Sequence, residues 1–209
     1  MISPFNSKFL SPTKLFRRLS VMLAINDTPH ISQHAIGRQT HLSSSMVNNY
    51  IKMFKREGLL KVLGNTNRTH SYHLTEQGGK LLRSSLLSYS AEIVQMYGAV
   101  KRELTNILDG FYKEGIRTVV LYGAAETAEI VYEALKDTEL VAIGVVDSDK
   151  AKQGRPFNGL IIESPNTLLE MTPDAVIITS FGRQEEIYES VHKIVDKKMQ
   201  IKRLSDINT

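Results

Sequence analysis

Ser43-Ser44-Ser45-Met46-Val47-Asn48-Asn49-Tyr50-Ile51-Lys52-Met53-Phe54-Lys55-Arg56-Glu57-Gly58 is the stretch whose reading decides the fold. A serine that can accept from a free backbone N–H stands at its start, and a glycine stands at its end, so the spacing predicts a helix from Ser43 to Gly58. Val47, Ile51 and Phe54 are four and three apart and share one face. Ser44, Ser45, Asn48, Asn49, Lys52, Lys55 and Arg56 cover much of the rest. Short hydroxyl and amide side chains near a helix start, with cations behind them, suit a helix entered N-terminus first into a DNA groove.

The residues before it supply two more helices. Ser11-Pro12 opens the first, carrying Leu15, Leu19, Met22 and Leu23 as its apolar face. A break at Asn26-Asp27-Thr28-Pro29 follows, and then a short helix over Ile31–Gln39 with Ser32 as its cap. Gly37 lowers helix propensity there but permits close approach of a neighbour, and Leu42 fills the angle before the next helix. After Gly58, the runs Leu59–Leu63 and Thr69–Leu74 flank the tip Gly64-Asn65-Thr66-Asn67-Arg68, which reads as a hairpin.

Helix, helix–turn–helix and hairpin, in that order, make a winged helix. The run from Gln33 through Leu42, Val47, Phe54, Gly58, Leu59 and Leu60, closed by Tyr72-His73-Leu74-Thr75-Glu76-Gln77-Gly78, resembles the winged helix-turn-helix of MarR-type bacterial regulators over about residues 12–87. The resemblance implies double-stranded DNA as partner. It places Ser44, Ser45, Asn48, Asn49 and Lys52 at or near the major groove, with Lys55 and Arg56 behind them and Arg68 reaching a minor groove or phosphate from the wing. His34, His41, His70 and His73 lack acidic partners at ligand spacing, so no metal site is expected.

Charge divides the chain. Residues 1–90 hold 12 Lys/Arg against 3 Asp/Glu, a surplus of nine positive charges; residues 91–209 hold 14 against 19, a deficit of five. A basic first half points to a polyanion and an acidic second half to another task. At 209 residues there is room for two small domains, and the absence of cysteine excludes disulfides, thiol catalysis and cysteine-based metal centres. No apolar run approaches the roughly 20 residues of a membrane span, and no secretory leader is recognisable, so a cytoplasmic protein is expected.

From Leu82 to Phe111 one long helix or two abutting helices fit. Ile93, Tyr97, Val100, Leu104, Ile107 and Phe111 are spaced four, three, four, three, four, a seam that predicts either a partner helix in a homodimer or packing on the chain's own domains. A two-fold dimer suits the paired half-sites that helix-turn-helix proteins read.

The C-terminal half predicts a strand at Thr118–Tyr122, a turn at Gly123-Ala124-Ala125, a helix over Glu126–Lys136 and a strand at Val141–Val146 ending in Asp147. That is the order of a dinucleotide-binding unit: a turn glycine lets helix amides approach phosphate, and the acid accepts from ribose hydroxyls. The fingerprint is incomplete, because Ala125 puts a methyl group where pyrophosphate passes. A Rossmann-like fold kept for assembly, with an empty pocket, is therefore also open.

Tyr122-Gly123-Ala124 with Val145-Val146-Asp147-Ser148-Asp149-Lys150-Ala151-Lys152-Gln153-Gly154-Arg155 and Asn158-Gly159 resembles the Rossmann domain at the front of nucleotide-sugar dehydratases and sugar acyltransferases of surface-polysaccharide pathways, over about residues 116–205. It implies a nucleotide or nucleotide-sugar pocket lined by Gly123, Ala124, Ala125, Glu126, Asp147, Ser180 and Phe181. The expected class is α/β with two domains: a winged helix at 1–87, a helical connector at 88–115 and a Rossmann-like parallel sheet at 116–209. The functional expectation is a DNA-binding transcriptional regulator, not an enzyme, with a sensing domain. A redox regulator reading NAD(H) resembles it in chain length and is the alternative; a structural dimer with a vestigial pocket, or a nucleotide-sugar enzyme, stands behind both. No acid–base pair is identified for the enzyme.

Overall fold

The computed structural model describes residues 12–28, 30–64, 70–180, 182–195 and 199–205. The chain divides into two units, Met1–Val94 and Gln95–Thr209.

In the first unit α1 (Lys14–Asp27), α2 (Gln33–Thr40) and α3 (Ser44–Arg56) precede the antiparallel strands β1 (Leu60–Leu63) and β2 (Ser71–Leu74). Each helix starts on a hydroxyl. Thr13 accepts from Phe16 N at 3.1 Å, Ser32 from Ala35 N at 3.2 Å and Ser43 from Met46 N at 3.3 Å. The cap of α1 is thus Thr13 instead of Ser11, which lies outside the described residues. After α3, Gly58 turns left-handed at φ 72°, and Leu59 N donates back to Phe54 O at 2.9 Å. Val21, Met22, Ile25, Ile36, Val47, Phe54, Leu59 and Tyr72 form one buried core, and removing the Phe54 ring would cost about 3–5 kcal/mol.

Gly37 is buried in α2, where an added Cβ would lie 2.8 Å from Leu42 O and 3.8 Å from Val47 Cγ2. Its expected close approach is made to the turn backbone first and to α3 second. The wing strands pair from Leu60↔Leu74 to Leu63↔Ser71; the tip with Arg68 lies outside the described residues.

The single helix α4 (Glu76–Lys113) has 38 residues, about 57 Å at 1.5 Å per residue. Leu82 is buried in the first core, whereas Leu104, Leu108 and Phe111 are buried in the second. The seam predicted from Ile93 to Phe111 is therefore divided. Leu104 and Phe111, with Ile107 beside them, pack within their own unit and are unavailable to a partner. Ile93, Tyr97 and Val100 remain exposed, as do Leu86, Leu87, Val94 and Met96.

The second unit holds a six-stranded sheet in the order β5-β6-β4-β3-β7-β8. β3 (Thr118–Tyr122), β4 (Val141–Val146), β6 (Leu160–Glu163), β7 (Ala175–Ile178) and β8 (Gln200–Arg203) are parallel, and the two-residue β5 (Pro156–Phe157) is antiparallel at the edge. α5 (Glu126–Leu135), α6 (Leu168–Met171) and α7 (Gln184–His192) connect them. Alternation along β3 sorts its side chains: Val119 and Leu121 pack with α5 and the end of α4, and Val120 and Tyr122 with Leu168, Ile187 and Val191. Helices thus cover both faces, as near-continuous apolar strands require. Among the described residues no helix is long and apolar enough to cross a membrane.

Candidate nucleic-acid and ligand sites

α3 buries Val47, Tyr50, Ile51 and Phe54. With that face against the core, Ser44, Ser45, Asn49, Lys52, Lys55 and Arg56 are exposed and Asn48 is half-buried, so seven of the eight expected contact residues lie on one helix. The eighth, Arg68, lies outside the described residues. Ser45 Oγ is 3.0 Å from the capping Ser43 Oγ, which ties it to the helix start. The nearest acid in sequence, Glu57, is paired with Arg18, whose guanidinium also lies 5.4 Å from the Phe54 ring centroid. From Thr28 to Arg56 there is no Asp or Glu at all. The exposed side of α3 is an uninterrupted surface of amides, hydroxyls and cations.

His30 and His73 meet edge to face, and His73 Nε2 lies 3.1 Å from Ser71 Oγ. His70 packs on the Tyr72 ring. Among the described residues no group of three or more potential ligands could hold a metal.

In the second unit the carboxyl ends of β3, β4 and β7 bring Gly123, Ala124 and Asp147 together. Gly123, at φ 110°, donates from N to Val146 O at 2.8 Å. A Cβ there would meet Thr179 Oγ1 at 2.8 Å, so the backbone and the neighbour both require glycine. Asp147 is 7% exposed and fully engaged: Oδ2 accepts from Ala124 N at 2.8 Å and Lys152 Nζ at 3.0 Å, and Oδ1 accepts from Asp149 N at 2.9 Å. Burial opposes its ionisation, but these donors outweigh burial and hold the carboxyl below its usual range. Burial, reinforced by the Asp147 charge, pushes the Tyr122 phenol up.

Ala125 is the N-cap of α5 and makes no side-chain cap bond; Glu126 opens the helix, exposed. Ser180 is half-buried after β7, and Phe181 lies outside the described residues. Sequence reasoning missed Thr179, whose hydroxyl donates to Tyr122 O and Gly123 O at 2.9 Å, and Lys152. Thr179 was not legible from spacing, because its partners are more than 50 residues away; Lys152, only five residues from Asp147 and inside the quoted motif, was not assigned to the site.

Two comparisons with protein families match parts of the chain. A model described as winged helix-turn-helix DNA-binding matches residues 10–61, and one described as C2185-like, N-terminal matches residues 115–201. The first unit is a winged helix-turn-helix. Among solved structures, the PcaV transcriptional regulator from Streptomyces coelicolor is 20% identical, with 47% of this chain and 72% of that one covered at a TM-score of 0.35. The regulator BldR from Sulfolobus solfataricus is 16% identical over 47% and 70%, at 0.37. A UDP-D-quinovosamine 4-dehydrogenase from Vibrio fischeri is 20% identical over 42% and 77%, at 0.36. These are partial likenesses and say nothing of this chain's ligand. Among curated proteins, none matches the chain.

The sequence identifies no acid–base pair for an enzyme, yet the Tyr-x-x-x-Lys spacing that a short-chain sugar dehydrogenase uses occurs twice, at Tyr97–Lys101 on α4 and at Tyr132–Lys136, which runs from α5 to its C-cap. Lys101 is bridged to Asp137 at 2.8 Å, Lys136 is bridged to Glu133, and Tyr132 Oη donates to Asn158 O at 3.1 Å.

Proposed function

We propose that the protein is a MarR-like, DNA-binding transcriptional regulator. In this reading it works in the cytoplasm as a homodimer, and its Rossmann-like second unit senses a nucleotide or nucleotide-sugar ligand to control genes of surface polysaccharides. The division into a reading domain at 1–87, a connector at 88–115 and a sensing domain at 116–209 belongs to the same proposal. The observation that carries it is the acid-free, exposed side of α3. Asn48 and Asn49 can read adenine edges; Lys52, Lys55 and Arg56 hold phosphates.

The test starts from duplexes enriched by the purified protein from a random pool. Asn48→Ala with Asn49→Ala should remove discrimination between enriched and random duplexes, whereas Lys55→Ala should weaken both alike and lower the salt slope by about one. Unchanged preference in the double variant would mean that α3 docks otherwise.

For the sensing unit, the parallel sheet with helices on both faces and the glycine turn at β3 support a site at the strand ends. Asp147 is held by Ala124 N and Lys152, and the ribose hydroxyls that NAD(H) and nucleotide sugars both carry would compete for that carboxylate. The same engagement favours the second reading, a structural domain that binds nothing. UDP-sugars, nicotinamide dinucleotides and coenzyme A, tested by thermal shift and by DNA affinity, separate the two: no shift with any of them removes the sensor. Turnover of any of them would restore the enzyme.

A further inference from the structure

The apolar face of α3 leaves one variable open. Burial of Val47, Ile51 and Phe54 decides which side of the helix meets the core, but hydrophobic burial is non-directional and holds rotation about the axis only loosely. Successive residues stand about 100° apart around a helix, so a modest turn changes which side chain leads. Asn48 is half-buried at the edge of the core face, and Asn49 beside it is exposed. Their presentation depends on that rotation.

Two directional contacts on α3 come from α1. Tyr50, Phe54 and Glu57 are spaced four and three, and this line faces the first turns of α1. Tyr50 Oη donates to Lys14 O at 3.5 Å, and the Arg18 guanidinium lies 5.4 Å from the Phe54 ring centroid. The same guanidinium grips Glu57 with both prongs, Nη1 to Oε1 at 3.4 Å and Nη2 to Oε2. Lys14 and Arg18 are themselves one turn apart. A two-pronged arginine–carboxylate contact fixes direction as well as distance. With side chains 26% and 33% exposed, the pair adds little to stability, so its consequence lies in geometry.

We infer that Arg18 is a positioning residue for α3: by gripping Glu57 across the Phe54 ring it fixes the rotation at which Asn48 and Asn49 meet base edges. The inference rests on the DNA-binding reading and adds to it a residue of another helix that acts through Glu57.

Arg18→Met keeps helix propensity and a long side chain over Phe54, and Glu57→Gln keeps the size of its residue, so both remove the ionic grip without opening the core. Affinity for an enriched and for a random duplex, together with the melting temperature, is measured for the parent, each single variant and the double. The two substitutions change net charge in opposite directions, so affinity for the random duplex should fall with Arg18→Met and rise with Glu57→Gln. Discrimination, the ratio of the two affinities, should nevertheless fall in both by roughly fivefold, and by no more in the double, because one shared contact is lost in all three. Folded single variants that keep the parental ratio overturn the inference and leave the DNA reading standing. Losses that add in the double overturn it as well, since the two residues then act separately. A melting temperature that drops in step with the ratio makes the pair a stability contact, which is a third way for the inference to fail. A parent protein that enriches no duplex from a random pool ends the DNA reading itself, and the inference with it.

Discussion

Gly78 shows how much can depend on one missing methyl group. It lies in the first turn of α4, where an added Cβ would stand 2.1 Å from Leu59 O and 3.1 Å from its carbonyl carbon. The obstacle is backbone, and Leu59 O already accepts from Thr75 N at 3.0 Å. Gly78→Ala should therefore destabilise the first unit by more than the 1–3 kcal/mol of ordinary overpacking, read as a lowered melting temperature and lost DNA binding. A neighbouring Gly79→Ala, whose Cβ would meet only the end of Arg83 at 3.5 Å, should be neutral or slightly stabilising. If the two variants melt alike, the packing of α4 on Leu59 is not as described. At this scale the sequence was legible where a residue's own chemistry speaks: Ser32 and Ser43 announce their caps, and Gly58 its left-handed turn. It was silent where two distant residues share one atom's space, as at Gly78 with Leu59 or Gly123 with Thr179.

Among the elements, α4 corrects the sequence most instructively. A 3.5-residue apolar spacing says that a face is covered, not by what. Leu104 and Phe111, both 3% exposed, are covered by the sheet and helix of their own unit, while Ile93 and Tyr97, both 42% exposed, are bare on the same seam. The homodimer proposal therefore rests on the segment from Leu86 to Val100. Ile93→Glu combined with Tyr97→Glu should give a monomer by light scattering, with helicity unchanged by circular dichroism. Persistence of the oligomer would assign the contact to another element. In contrast, Leu108→Ala, at a fully buried position, should cost about 2–5 kcal/mol in the second unit without acting on association first. β3 and β4 were legible because they are short apolar runs bounded by turns. The two-residue β5 was not, since Pro156-Phe157 carries no period.

For the whole molecule, the two units should differ in their response to acid. Asp147 and Asp174, both in the second unit, have carboxyls held low: Asp147 by donors that outweigh its burial, Asp174 by the Thr118 and Arg117 backbone N–H groups. A depressed carboxyl contributes stability that is fully present above the unfolded value of about 3.9 and is lost as pH falls through the folded value. The second unit should thus weaken below about pH 4. Asp174 is exposed and contributes the smaller share. Asp147→Asn should lower the melting temperature at neutral pH and flatten its fall in acid; an undiminished fall would show that the Asp147 network does not set it. The bare stretch of α4 has a further consequence, in the arithmetic of dosage. If Leu86, Leu87, Ile93, Val94, Met96, Tyr97 and Val100 hold two copies together only weakly, operator occupancy follows the square of protein concentration, and halving the supply costs about fourfold in dimer. A gene under such control would respond to modest changes in how much of the regulator a cell makes, before any ligand is considered.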